Sequence, residues 1–419
     1  MSKIYNTQKL ICIKRRIKVT DELKQYIFKN INYRRRVWND FVEEYYRCKE
    51  RGEEFLPLKY KTKYFNEIEI PNHIYDEYCT GISEQVSKDF KTGLKVRKHT
   101  NGKMRFKKFN PFYGTFKVHS KPRYSSVFAN VYYCRLQIAD DMTVIFRDSK
   151  KSYIPIQLNE RLFDDVIAID NEYVFSISKQ NYYFRESNIK EIMFLHELGK
   201  FYIIICVEGY YIFKKNNKSR IKRAGIDLGI HNPVTIYDSR DKISFIRMTQ
   251  KQMSRIYYYE RRASKLQKIM DNKIVGSKNY RKIQRKFLIS HRKARNIRRE
   301  WRIKSSNFIS KMYKTIIVDK SRIPDKTVQD FKTGKVLRKM NYISRFHGMY
   351  LFNEYLKHST VKHNSKYIES PENTTRLCSR CGFMNEHIPL RIRKFKCSNC
   401  NYEEDRDVNA SRNCYNFEL

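Results

Sequence analysis

Acid is what this 419-residue chain is short of: 44 Asp and Glu stand against 87 Lys and Arg, a formal charge of +43 at pH 7. An excess of that size goes beyond what solubility needs and points to a polyanionic partner, nucleic acid first of all. An AT-rich coding bias would enrich Lys, Asn, Ile and Tyr, but Arg is abundant too, in runs such as YRRRVW (33–38) and ARNIRREWRIK (294–304). Long apolar runs are missing as well. No stretch approaches the ~18–20 residues that cross a bilayer, so no membrane span is expected. The opening MSKIYNTQKLICIKRR lacks the apolar core of a secretion signal, which predicts an intracellular, reduced setting. The ten cysteines are then thiols or metal ligands rather than disulfides. Cys12, Cys48, Cys79, Cys134 and Cys206 are scattered singly, and Cys414 has no obvious partner. There is no internal repeat, no tyrosine or serine recombinase arrangement and no HUH-type histidine cluster.

What is present changes texture along the chain. Residues 9–19 alternate apolar and basic side chains, the period of a strand. Thr20-Asp21 forms an N-cap for a helix over roughly 21–48, and a second helix is predicted over about 73–98. From about 103 to 215, short aromatic and β-branched runs such as GTFKVH, MTVIFRD and KFYIIICVEGYYIF are divided by Gly, Asp, Asn and Lys. That spacing predicts an antiparallel β-barrel or sandwich, with the first strand joining it and the helices of 20–100 inserted. NNKSRIKR (216–223) reads as a linker. Beyond it come AGIDLGIHNPVTIYD and KISFIRM, two long helices over 249–313, the short strand TIIV ending at Asp319, an amphipathic helix over 341–358, and SKYIES. Alternating strands and helices predict an α/β domain with a mostly buried sheet.

Three signals carry chemistry. Cys378 and Cys381 form one CxxC clip, and fifteen residues later Cys397 and Cys400 form a second. Two such clips give the thiolate set of a closed, structural Zn²⁺ site. Next, Asp227 interrupts the apolar run GIDLG, Asp319 ends TIIV, and Asp405 and Asp407 stand in EDRDVNAS. A carboxylate inside an apolar strand needs a cation or a strong hydrogen-bond set. Carboxylates gathered from separate segments can hold two Mg²⁺ ions ~3.5–4 Å apart for phosphodiester hydrolysis. Any one of these Asp residues could equally serve as a turn or cap. Finally, residues 251–304 hold nineteen Lys and Arg and three acids. Arg281, Lys282, Arg285, Lys286, Arg292, Lys293, Arg295, Arg298, Arg299 and Arg302 would repel one another unless a polyanion screened them. Tyr257, Tyr258, Tyr259 and Trp301 are either core residues or stacking surfaces. YRRRVW and the strip at 95–109 could contact duplex DNA beside a target.

GIDLGIHNPVT, TIIVDKS and NTTRLCSRCG followed by FKCSNCNYEEDRDVNAS, in that order, resemble the TnpB family of transposon-encoded RNA-guided nucleases. Compact type V CRISPR effectors and Fanzor proteins are related to that family. The resemblance is specific over about 224–413 and only architectural before it. It implies an α+β multidomain fold. A β-barrel wedge (first strand 1–19, remainder 103–223) would carry an inserted helical recognition lobe at 20–102. A RuvC-like RNase H α/β nuclease domain (224–374 and 403–419) would carry an inserted four-cysteine zinc ribbon at 375–402. By resemblance, Asp227 is the first catalytic carboxylate and Asp407 the last, with Mg²⁺ as catalytic cofactor, a guide RNA bound and complementary double-stranded DNA cut beside a short adjacent motif. The middle position is usually Glu but here reads Asp319, one methylene shorter. Asp319 serves after a backbone shift, or Glu369 or Glu372 substitutes, or cleavage is lost and a guided DNA-binding repressor remains. A zinc-ribbon RNA-binding protein with no DNA target is a further alternative. Localisation would follow the DNA: cytoplasmic in a prokaryote, nuclear in a eukaryotic or viral setting.

Overall fold

The computed structural model describes residues 9–60, 82–100, 102–119, 135–138, 143–148, 152–159, 167–170, 173–174, 189–211, 220–229, 231–319, 346–370, 373–386, 388 and 392–417. The chain divides into two compact units, Lys3–Ile212 and Phe213–Leu419.

The first unit runs β1 (Lys9–Ile17), α1 (Asp21–Glu50), a one-turn α2 (Pro57–Tyr60), α3 (Ile82–Thr100), β2 (Tyr113–His119), β3 (Arg135–Ile138), β4 (Thr143–Asp148), β5 (Ser152–Gln157), β6 (Ile167–Asp170), β7 (Tyr173–Val174), β8 (Ile189–Glu197) and β9 (Lys200–Tyr211). Thr20 caps α1 as its position suggests, its hydroxyl accepting from the Leu23 amide at 3.2 Å. One sheet has the order β2-β8-β9-β6-β7, and β1 also pairs antiparallel with β9. Strands β3-β4-β5 form a separate antiparallel sheet. Leu23, Ile27, Val37 and Phe41 of α1 and Val86 and Phe90 of α3 close over Phe116, Phe194 and Ile203 of the large sheet. Of the second predicted helix, residues 73–81 lie outside the described residues.

The second unit runs β10 (Ile221–Asp227), β11 (Val234–Asp238), β12 (Ile243–Ile246), α4 (Gln250–Asp271), α5 (Lys278–Met312), β13 (Tyr313–Asp319), α6 (Met349–Lys362), β14 (Lys366–Ser370), β15 (Lys394–Lys396), β16 (Glu403–Asp405) and α7 (Arg406–Asn416). The fold is mixed α/β. Its five-stranded sheet has the order β12-β11-β10-β13-β14, antiparallel across β12-β11-β10 and parallel across β10-β13-β14. Side chains alternate across a strand, so the two faces separate cleanly. Ala224, Ile226, Ile316 and Val318 pack with Ile256 of α4, Ile297 and Trp301 of α5 and Phe352 and Leu356 of α6. Ile317 and Ile368 face the other way, with Cys414 of α7. The amphipathic helix predicted over 341–358 is displaced: it spans Met349–Lys362, and 341–345 lie outside the described residues.

Gly225 explains how α7 comes so close to that second face. A Cβ at this position would lie 2.2 Å from the Ser411 carbonyl oxygen and 2.3 Å from the Tyr415 amide. Only a residue without a side chain lets the helix backbone rest on β10.

A candidate carboxylate site and a four-cysteine clip

Asp227 ends β10 on the α7 face, two residues beyond Gly225 and of the same parity. Register carries the row across the sheet: Ile226 pairs with Val318, and Asp319 pairs with Ser370. Asp227 and Asp319 therefore end adjacent parallel strands on one face. Asp407 enters above them from the first turn of α7. All three are buried, at 4%, 8% and 4% exposure for residues 227, 319 and 407. Gly229 measures their approach. A Cβ there would lie 3.3 Å from Oδ2 of Asp227 and 3.4 Å from the carboxyl carbon of Asp407. The two carboxyl groups are thus separated by no more than those two lengths together.

The electrostatics match the geometry. Burial pushes the Asp227 carboxyl well above the usual range, and the neighbouring Asp407 and Asp319 push it further, against the pull of Arg393 and Arg406. Asp407 accepts through Oδ2 from Asn232 Nδ2 at 3.0 Å and from the Arg393 guanidinium. Arg247 in turn donates to the side-chain Oδ1 of Asn232. Asp319 accepts from the Thr374 hydroxyl at 2.7 Å. Buried carboxylates whose charges are mutually unfavourable fit a divalent cation. They do not form a tight cage: among the described residues only the four cysteines make a group whose ligand atoms all lie within 4.8 Å of one another. An open set suits Mg²⁺, which keeps several waters and takes one or two carboxylates.

Glu369 goes elsewhere. It is opposite Val318 in the register, on the α4–α6 face, and pairs with Lys357 at 2.8 Å. Glu372 lies outside the described residues. The acidic run before α7 is mostly satisfied by protein. Glu403 pairs with Lys394 and Lys396, Glu404 accepts from the Tyr402 hydroxyl at 3.0 Å, and Asp405 caps α7, accepting from the Asp407 amide at 2.8 Å. Only Asp407 of the four turns into the site.

The clip precedes it directly. The Sγ atoms of Cys378 and Cys400 are 3.7 Å apart, and those of Cys381 and Cys397 3.6 Å. A tetrahedron with ~2.3 Å metal–sulfur bonds has edges of roughly 3.8 Å, so the four thiols fit Zn²⁺. Each clip closes the same way: the residue after its second cysteine has positive φ and its amide bonds back to the first cysteine's carbonyl. These are Gly382 (φ 72) to Cys378 and Asn401 (φ 54) to Cys397. Asn409 and Asn413 then fasten α7 to the residue just before the clip's first cysteine, both donating to the Leu377 carbonyl.

The basic residues of α5 divide. Arg281, Lys282, Arg285, Lys286, Lys293, Arg295 and Arg299 are exposed and Arg292 is half-buried. Arg298 is half-buried and paired with Glu260. Arg302 is buried and donates to the His347 carbonyl at 3.0 Å, so it is not part of the exposed face. Trp301 is core, while Tyr257 and Tyr258 are exposed. Sequence reasoning missed Asn232, Arg247 and Arg393. It also missed Asn401, although an Asn directly after the second clip, where Gly382 follows the first, was a signal open to it.

Comparison with known proteins gives the class first. Residues 205–325 match the family described as "Probable transposase", and residues 350–414 match the "Cas12f1-like, TNB domain". The chain is similar in fold to a Cas12f1 seen in a complex with single-guide RNA and target DNA, at a TM-score of 0.54 and 13% identity, covering 98% of this chain and 99% of that one. These matches bear out the resemblance to TnpB proteins. The relatives include the "Putative RNA-guided DNA endonuclease InsQ" of Escherichia coli (strain K12), 23% identical over 54% of this chain and 56% of that protein. A "Putative RNA-guided DNA endonuclease" of Streptomyces pristinaespiralis is 27% identical over 45% of this chain and 43% of that protein. The chain spans about half the length of these curated relatives. Among the described residues no helix is long and apolar enough to cross a membrane.

Proposed function

We propose that this protein is an RNA-guided DNA endonuclease with a RuvC-like domain at 224–374 and 403–419, interrupted by a zinc ribbon at 375–402. Residues 1–19 and 103–223 would be its wedge barrel and 20–102 its recognition lobe. The observation that carries the reading is the meeting of Asp227 and Asp407 around Gly229, where burial and the neighbouring Asp407 and Asp319 raise the Asp227 pKa and so disfavour its bare charge. Asp227 and Asp407 would hold Mg²⁺, with Asp319 as the third carboxylate. Bound there, the ions supply an activated water and stabilise the leaving oxygen of a phosphodiester. The chain's own part is positional. Asn232 and Arg393 fix the Asp407 carboxylate, Thr374 fixes Asp319, and the clip fixes the start of α7. The exposed cations of α5 fit the backbone of a guide–target duplex. The relatives' names and the Cas12f1 complex support a guide RNA and a DNA target.

The test is cleavage of a guide-matched duplex by purified protein with its RNA in Mg²⁺. Asp227→Ala should abolish the cut while leaving guided binding intact, and normal cutting by that variant removes the assignment. One observation favours a second reading, a binder without cleavage: Asp319 is short and held by Thr374. Guided binding with no cut in Mg²⁺ or Mn²⁺, converted to cutting by Asp319→Glu, would establish it.

A further inference from the structure

Residues 102–112, GKMRFKKFNPF, lie between α3 and β2 and form no helix or strand, yet they are firmly clamped to α1. The Trp38 indole donates to the Arg105 carbonyl at 3.1 Å, and the Tyr46 hydroxyl to the Met104 carbonyl at 2.8 Å. Asn39 grips Lys107 twice, donating to its carbonyl at 3.1 Å and accepting from its amide at 2.7 Å. Two positions of the strap three residues apart, Met104 and Lys107, turn toward α1. Met104 is buried, and the Lys107 ammonium turns back to lie 3.5 Å from the Trp38 ring centre. Arg105 and Lys108 are exposed, and so are Phe106 and Phe109, at 55% and 54%. The strap thus has a side against α1, a cationic edge and an aromatic edge.

Two phenyl rings held in water on a clamped backbone call for a partner with flat apolar faces. The surroundings say which. In sequence no acidic residue stands between Asp89 and Asp140, Asp89 itself is paired with Arg34 at 2.6 Å, and Lys103, Arg105 and Lys108 flank the rings. A protein surface gains little from that charge, whereas a polynucleotide offers both phosphates and bases. Three residues of chain span at most about 10 Å, so the two rings address neighbouring nucleotides of one strand.

We propose that Phe106 and Phe109 form a stacking platform for unpaired bases of a single-stranded nucleic acid, with Arg105 and Lys108 on its phosphates. This rests on the nucleic-acid part of the proposed function and not on the carboxylate site. The experiment is a fluorescence-anisotropy titration of the full-length protein with a labelled 20-nucleotide single strand, as DNA and as RNA of the same sequence, across a salt series. Phe106→Ala and Phe109→Ala should each weaken binding about tenfold, the scale of one lost stacked base, without changing the salt slope. Phe→Leu should weaken it equally, and Phe→Tyr should restore it. Arg105→Ala and Lys108→Ala should each lower the slope by about 0.7. Loss confined to the RNA arm assigns the platform to the guide, and loss confined to the DNA arm assigns it to a DNA strand. Wild-type affinity in the alanine variants overturns the platform, as does wild-type affinity in the leucine variants. Failure of the wild-type protein to bind either strand overturns both the platform and the nucleic-acid reading.

Discussion

Asp227 sits where an ionised carboxylate is least favoured, at the end of a central strand with two further carboxyl groups facing it. Its folded pKa is raised above the unfolded value, so its contribution to stability is full below the unfolded value and is lost as pH rises through the folded one. The metal-free wild type therefore carries a penalty at neutral pH that it lacks in acid. Asp227→Asn should raise the melting temperature of the metal-free protein at pH 7 and leave it nearly unchanged near pH 4, while abolishing cleavage. Scanning calorimetry at the two pH values checks this. The same conflict made Asp227 legible in the sequence, because an acid inside GIDLG breaks an apolar run. Asp407 was legible only through its motif. Asn232 and Arg393 were not legible, because a polar residue in a loop carries no mark of where the loop returns. Arg302 misled for a related reason: the count of charges over 251–304 does not say which face of α5 meets the core.

Among elements, α7 depends on one missing side chain. Placing a methyl group at Gly225 would drive it into the backbone of Ser411 and Tyr415, which cannot give way as a flexible side chain could. Gly225→Ala should cost about 1–3 kcal/mol, the scale of overpacking. It should also lower cleavage further than the stability loss explains, because Asp407 moves with the helix; thermal melts and single-turnover rates measure the two effects. Helix α1 was legible from its Thr20 cap, and α4 and α5 as two long helices in a stretch, 249–313, that holds no proline and one glycine, Gly276. The strands of the first unit were legible as strands, and so was the joining of the first strand to the later sheet, but the partners and the division into two sheets were not. β1 pairs with β9 at the far end of the unit, and β3-β4-β5 stand apart, because pairing depends on partners distant in sequence. The clip's ligands could be read from spacing, but not the work of Asn409 and Asn413, which tie it to α7.

At the scale of the molecule the dominant quantity is charge. An excess of +43 makes association with a polyanion a counterion-release process. If the bound RNA covers six or more phosphates, its affinity should fall by about a thousandfold or more between 50 and 200 mM salt, measured by filter binding. A fall of only a few-fold would mean that most of the charge does not touch the ligand.

Chain order adds a constraint of its own. β10 and β13 are parallel neighbours with the whole helical pair α4–α5 between them in sequence, and α7 follows only after the four-cysteine clip. Translation runs from the amino end, so a ribosome-bound chain displays Asp227 and Asp319 long before Asp407 exists. Asp407 thus joins the other two carboxylates only after the helical pair and the four-cysteine clip have been made, and under the proposed function a chain stopped before residue 407 lacks one of its three carboxylates.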